Sequence, residues 1–271
     1  MSVRKRFGQH FLEPAWAARL VAAIAPQPED TFIEIGPGRG ELTLPLAHRV
    51  RRVIAIEIDR DLAAGLVRRL PQNAQLVVAD VLEIDLAELV PRDDGAFRLA
   101  GNLPYNISSP IVGRLLSLHQ RDARLTDATL MLQREVADRL AAAPGSRDYG
   151  VLSVSAQRLA RISRLLDLPP GAFRPPPKVH SAVIRLAFRT GGDRVQAPPL
   201  LDSVVRSAFG QRRKRVSNAL RALAGSLGVS ADDVLQAAGI DPGRRPGTLT
   251  VEEFVTLAYA FEASRPQGRS A

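Results

Sequence analysis

Between residues 31 and 133, short β-rich runs alternate with stretches of helical periodicity, and this alternation constrains the fold more than any other feature. The runs are TFIEIG (31–36), RRVIAIEI (51–58), AQLVVAD (74–80), AFRLAGN (96–102) and DATLMLQ (127–133). Helical patterns such as ELTLPLAHRV, RDLAAGLVRRL and SSPIVGRLLSLH lie between them. Strand and helix in turn build βαβ units, so the expected core is an α/β parallel, doubly wound sheet. Two more strand patterns, ARISRLLDLP and HSAVIRLAFR, flank a proline-rich corner, FRPPPKVHS. TGGDRVQAPP (190–199) then reads as a linker. Beyond it every pattern is helical, with Ser230 and Thr250 as N-caps, each followed by acidic residues. The expected organisation is one domain over 1–190 and a small all-helical domain over 196–271.

With 45% apolar residues among 271, the chain can fill the cores of a large and a small domain. It has no cysteine, which excludes disulfides, thiolate nucleophiles and cysteine zinc sites and suits a reducing compartment. His10, His48, His119 and His180 are scattered, so no metal is expected. No apolar run reaches the ~18 residues of a membrane span. The apolar stretch after the basic start is broken by Arg19, so the cytoplasm is the expected compartment and no membrane partner is expected. The net charge of +9 is spread over both parts and favours a polyanion, nucleic acid first. Arginines that are merely solvated would give the same composition.

EIGPGRGELT follows the first strand and opens a helix. Gly36, Gly38 and Gly40 let the backbone turn tightly against a ligand, although an ordinary strand-to-helix turn also accounts for them. A dinucleotide fingerprint needs a third glycine where Glu41 stands. A carboxylate there would repel a pyrophosphate at the helix N-terminus. Glu57 and Asp80 end the next two strands, at the sheet edge where such folds bind ligands. Glu57 suits ribose hydroxyls and Asp80 an adenine amino group, with a solvated helix cap as the plainer role for Asp80. Together they point to a nucleoside ligand without phosphates, as S-adenosylmethionine is.

RLAGNLPYNISSP (98–110) places an amide, a proline and an aromatic ring at the tip of the fourth strand. Pro104 cannot donate to a sheet ladder, so the strand ends there. The Asn102 carboxamide oxygen and neighbouring carbonyls form a corner poor in donors, suited to an amino group held by both hydrogens. Accepting both hydrogens turns the lone pair of an adenine amine out of the ring and towards a sulfonium methyl. Tyr105 offers a stacking face to a base taken out of its own stack.

NLPY is similar to the tetrapeptide of adenine-amino methyltransferases. With GNLPYNISSP, RKRFGQHFL, EIGPGRGELT, IEIDRDLA, MLQREVADRL, YGVLSV, FRPPPKVHSAV and AFGQRRK, the chain resembles the small-subunit ribosomal-RNA adenine dimethyltransferases from about residue 4 to 260. The resemblance implies a class I S-adenosylmethionine-dependent methyltransferase fold, Rossmann-like, with a helical C-terminal domain. It implies dimethylation of two adjacent adenosines in the 3′-terminal hairpin loop of 16S rRNA, in the immature small subunit; the chain is expected to act as a monomer. Carried over by motif, the catalytic corner is Asn102, Leu103, Pro104 and Tyr105, with Phe173 as a second aromatic against the base. A core Phe beside a proline turn is the plainer reading of Phe173. The cofactor residues are His10, Leu12, Gly36, Gly38, Glu57, Asp80 and Asn102. The family more often has Asn where His10 stands, and a His can still donate through one ring nitrogen.

QRRKR (211–215) is expected to dock on rRNA through Arg212, Arg213, Lys214 and Arg215. Read as one helix, the surrounding stretch carries an apolar stripe of Val205, Phe209, Val216, Leu220 and Leu223, which leaves Arg206, Arg213, Lys214 and Arg221 largely off the stripe; Gly210 can divide it. A solvated basic face fits the same residues. Two rival functions stay in view: a 23S rRNA adenine methyltransferase of the macrolide-resistance type, and a non-catalytic RNA-binding assembly factor. A dehydrogenase is opposed by the glycine spacing and by Glu41.

Overall fold

The computed structural model describes residues 10–190 and 196–265. Its strands are β1 (Phe11–Leu12), β2 (Thr31–Ile35), β3 (Arg52–Glu57), β4 (Ala74–Val78), β5 (Phe97–Asn102), β6 (Leu125–Gln133), β7 (Ala160–Leu168), β8 (Phe173–Arg174) and β9 (Ser181–Phe188). Its first seven helices are α1 (Pro14–Ile24), α2 (Thr43–Ala47), α3 (Arg60–Val67), α4 (Leu86–Leu89), α5 (Ser108–Arg121), α6 (Arg134–Ala141) and α7 (Val151–Leu159). Then come α8 (Leu201–Gly210), α9 (Val216–Ser226), α10 (Ala231–Ala237) and α11 (Val251–Ser264). Residues 4–9 of the RKRFGQHFL motif and 191–195 of the linker lie outside the described residues.

The described residues divide into two compact units. The first holds the chain up to Ala137 together with Ala160–Thr190, and the second holds Asp138–Leu159 together with the chain from residue 196. The boundary read at residue 190 is thus one of three crossings. Residues 138–159, assigned from sequence to the larger domain, belong with the helices. The reason is burial: Ala142, Tyr149 and Val154 sit in the same core as Val204, Leu220, Phe254 and Phe261.

In the first unit seven strands form one sheet in the order β4-β3-β2-β5-β6-β9-β7. All five strands expected between 31 and 133 are present and mutually parallel. The sheet as a whole is mixed rather than parallel, because β9 runs antiparallel to both β6 and β7. The proline corner reverses the chain between β7 and β9, and a reversed chain pairs antiparallel. Every residue of β2 is buried, as a central strand covered on both faces requires. A Cβ on Gly101 of β5 would stand 2.7 Å from the Ile35 carbonyl oxygen, so these two strands approach as closely as they do only with glycine there.

In the second unit the capping signals hold. Thr250 and Glu253 form a reciprocal capping box, and Ser230 accepts the Asp233 N–H. The stretch read as one helix is two. The first ends at Gly210, and Arg215 takes an extended conformation before the second begins. The loop before α11 caps that start, because the Val216 N–H donates to the Arg244 carbonyl at 2.7 Å. Val205, Val216 and Leu220 of the expected stripe are still buried. None of the described helices is long and apolar enough to cross a membrane.

Gly101→Ala is expected to lower the unfolding free energy by about 1–3 kcal/mol, the usual cost of overpacking. Gly113, exposed within α5, has nothing within 4 Å of an added Cβ. Gly113→Ala should therefore raise stability by about 0.5–1 kcal/mol. Urea unfolding of the two variants checks both signs.

Candidate active site

Strands β3 and β4 lie on one side of β2, and β5 and β6 on the other, so the chain order reverses between β2 and β5. Sheets of this kind open a crevice beyond the carboxyl ends of the strands at that point. The loop after β2 enters it at Gly36, whose φ of +70° suits glycine and whose added Cβ would press on the Asn102 carbonyl oxygen at 3.3 Å. Glu57, at the end of β3, ties the loop down. Its Oε2 accepts the Gly38 N–H at 3.1 Å and its Oε1 the Asp59 N–H at 2.9 Å.

At the end of β5 the Asn102 Nδ2 donates to the His10 carbonyl at 3.0 Å. The Tyr105 hydroxyl shares a hydrogen bond of 2.7 Å with Ser181 Oγ. The His10 ring stacks on Tyr105, with centroids 5.7 Å apart, and its Nδ1–H donates to the Pro175 carbonyl at 2.7 Å. Next to His10, Phe11 packs between Gly38 and the Arg39 guanidinium, which sits 4.1 Å above the ring centre.

Two adjoining cavities share His10, Gly36, Glu57, Ile58, Pro104 and Tyr105. The first also meets Leu12, Gly38, Asn102 and Leu103, and the second meets Asp80. The second encloses about 610 Å³, within the ordinary range for a small-molecule site. Three carboxyls, Glu34, Glu41 and Glu57, line the first, and no described lysine or arginine lines either. Because Glu34 keeps its proton, Glu41 and Glu57 are the acids whose charge disfavours a pyrophosphate and favours a cation there. Burial raises the pKa of all three acids; for Glu57 the two backbone N–H donors act against it. Glu34 is completely enclosed and pushed up to about 8, and its Oε2 has no hydrogen-bond partner. Asp80 Oδ1 accepts the Leu82 N–H at 2.8 Å, which closes a turn and caps no helix, since α4 starts only at Leu86.

One expected site residue stands elsewhere. Phe173, read as a second aromatic against the base, is 0% exposed in the core with Leu20, Val21 and Phe32, and lines neither cavity. Pairing of Leu12 with Phe173 in the β1–β8 ribbon holds it there. Arg213, Lys214 and Arg215 are exposed in the second unit, in the turn between α8 and α9; Arg212 is half-buried and donates to the Ser146 carbonyl at 2.9 Å. Glu34 was missed, although a lone acid inside the apolar run TFIEI was a readable signal. Ser181 carried none. Among the described residues no group of three or more His, Asp or Glu could hold a metal ion.

The sequence matches the family described as Ribosomal RNA adenine dimethylase over residues 1–262. Chains named Ribosomal RNA small subunit methyltransferase A are similar to it almost end to end. The one from Burkholderia sp is 46% identical over 270 residues, spanning 96% of this chain and 93% of that relative. The one from Aromatoleum aromaticum is 44% identical over 267 residues, spanning 97% and 96%. Among solved structures, a dimethyladenosine transferase from Plasmodium falciparum has the same fold, with a TM-score of 0.82 at 24% identity, covering 94% of this chain and 98% of its own. The 23S rRNA methyltransferase ErmE follows at a TM-score of 0.70 and 26% identity, covering 93% and 99%.

Because Glu34 stays protonated in the folded chain up to about pH 8 but ionises near 4.5 once unfolded, it opposes folding increasingly across that window. Its contribution is intact below pH 4.5 and lost as pH rises to about 8. Glu34→Gln should therefore gain stability over the wild type as pH rises through that range, with the difference level beyond it. Urea titrations at several pH values measure the gap, and a constant gap would contradict the assignment.

Proposed function

Since the chain belongs to the ribosomal RNA adenine dimethylase family, we propose that it dimethylates the exocyclic amino groups of two adjacent adenosines in the 3′-terminal hairpin loop of 16S rRNA. The methyl donor is S-adenosylmethionine, and the substrate is the immature small subunit, which the enzyme engages as a monomer. The observation that carries this reading is the Asn102 amide, anchored through Nδ2 at the crevice where β2 and β5 part.

The cavity fits the cofactor. Its carboxyl-rich lining without lysine or arginine suits a cation, and Gly36, Gly38, Glu57 and Asp80 are the residues that would hold it. When bound, S-adenosylmethionine supplies an electrophilic methyl group. The chain's own residues prepare the nucleophile. Asn102 Oδ1 accepts no hydrogen bond among the described residues and is left to receive an amine hydrogen, with the nearby carbonyls taking the other. Tyr105 holds the base by its ring. No general base is needed, because the nitrogen becomes acidic only after the methyl has arrived and water can then take its proton. Leu103 and Pro104 offer apolar surface for a first methyl group while the second is added.

The decisive experiment supplies labelled cofactor and unmodified small subunits and maps the label. Dimethyladenosine at two adjacent 16S positions is expected. Label in 23S rRNA would instead favour the reading suggested by the ErmE likeness, and binding without transfer would indicate an assembly factor. In the same assay Asn102→Ala should lose activity by orders of magnitude while staying folded, and Tyr105→Phe should be milder than Tyr105→Ala.

The turn at 211–215 supports rRNA docking by the second unit. With Arg212 held by Ser146, three cations remain to reach phosphates. Replacing Arg213, Lys214 and Arg215 by Ala should flatten the log–log salt dependence of subunit binding by about 2–3, since each neutralised phosphate contributes roughly 0.9. Cofactor affinity, read by calorimetry, should not change. An unaltered slope would remove the turn from the interface.

A further inference from the structure

An asparagine amide presents two nearly isosteric ends, and only one serves the chemistry above. Turned over, it would point an N–H at the amine hydrogens it must accept. Something has to hold it one way. In this chain the holder is the His10 carbonyl, which can only accept, so Nδ2 must face it and Oδ1 is left for the substrate.

The carbonyl is itself fixed. His10 Nδ1–H donates to the Pro175 carbonyl, and the ring lies against Tyr105 at an interplanar angle of 27°. The next two residues are paired in the β1–β8 ribbon, Phe11 with Arg174 and Leu12 with Phe173. The ring has a second consequence. The Tyr105 hydroxyl is held by Ser181 and one side of its ring is backed by His10, so a base can stack only on the other side.

We propose that His10 is a positioning residue of the catalytic corner: through its carbonyl it sets the direction of the Asn102 amide, and through its ring it backs Tyr105. This deepens, and rests on, the reading of residues 102–105 as the adenine-binding corner. It differs from the role as a cofactor ligand implied by family resemblance. An asparagine in its place could donate a hydrogen bond but could not stack on Tyr105.

The test compares His10→Ala and His10→Phe with the wild type. For His10→Ala, kcat for transfer to unmodified small subunits should fall about 30- to 100-fold, the scale of a small misplacement of a reacting group. The cofactor Kd, by calorimetry, and the KM for subunits should stay within about threefold, because the lost interaction acts only in the transition state. His10→Phe loses the Nδ1–H bond to Pro175 but keeps a ring against Tyr105 and the β1–β8 pairing that follows, which together still fix the carbonyl, so most of kcat should be retained. In a Tyr105→Ala background the cost of His10→Ala should shrink, as it does for residues acting through one another. One readout needs no activity: in ¹⁵N spectra the Asn102 side-chain amide should lose its hydrogen-bonded shift in His10→Ala and keep it in His10→Phe. A rise in cofactor Kd matching the loss of kcat/KM would make His10 a cofactor ligand and overturn the proposal. So would an unmoved Asn102 signal in His10→Ala, or an undiminished cost in the Tyr105→Ala background. If melting shows His10→Ala unfolded, His10→Phe decides alone: retained kcat and Asn102 signal support the proposal, and loss of either overturns it. A wild type that transfers no label overturns the proposed function instead, and the Asn102 signal then decides the role of His10 by itself.

Discussion

Backbone meets backbone where β2 and β5 run side by side. The Ile35 carbonyl leaves no room for a side chain at Gly101, and the Asn102 carbonyl leaves little at Gly36. This close contact brings the glycine loop, which leaves β2, and the NLPY corner, which leaves β5, to the same crevice. On the proposed reading one holds the cofactor and the other the base, and placed on strands further apart they could not serve one methyl transfer, because reacting atoms must sit within about 3–3.5 Å. The hydrogen bonds of Glu57, Asn102 and Tyr105 then hold in place what the two strands have brought together.

Charge is distributed in the opposite sense inside the crevice and over the chain. The chain as a whole carries +9, yet the first cavity is lined by Glu41 and Glu57, by a Glu34 that keeps its proton, and by no described lysine or arginine. The potential at a buried point is governed by its nearest groups, not by net charge, so the cavity can favour a cation in a protein that favours a polyanion. On the proposed reading, a sulfonium cofactor and an RNA substrate make these two demands. Glu34 shows the cost of the arrangement: crowded by burial and by two other acids, it holds its proton to about pH 8.

The strands were legible because a buried parallel strand writes itself as a short apolar run, and the helix starts because Ser230 and Thr250 use local capping chemistry. Asn102, Tyr105, Gly36 and Glu57 were legible because they interrupt those runs with polar or flexible residues at strand tips. Phe173 was misplaced: a motif names a residue but does not say which way its side chain turns, and the two-residue ribbon with Leu12 turns it into the core. Residues 138–159 were assigned to the wrong unit because their apolar residues carry no mark of which core they enter. The 200–227 stretch was read through its break because the Arg244 carbonyl that caps the second helix lies far along the chain.

By itself, then, the sequence determined what depends on near neighbours: the alternation of strand and helix, the caps, the glycine turn, the residue types at the strand tips and the basic run at 211–215. Only the tertiary structure decided what depends on residues far apart. It put β9 between β6 and β7, sent Phe173 inward, tied Arg212 to Ser146, and set His10 against both Tyr105 and Asn102. The physical reason is range. Periodicity, φ preference and capping act over a few residues, whereas the direction of one amide at residue 102 rests on a carbonyl at residue 10 and a strand pairing at residues 173 and 174, which meet only after the chain has folded.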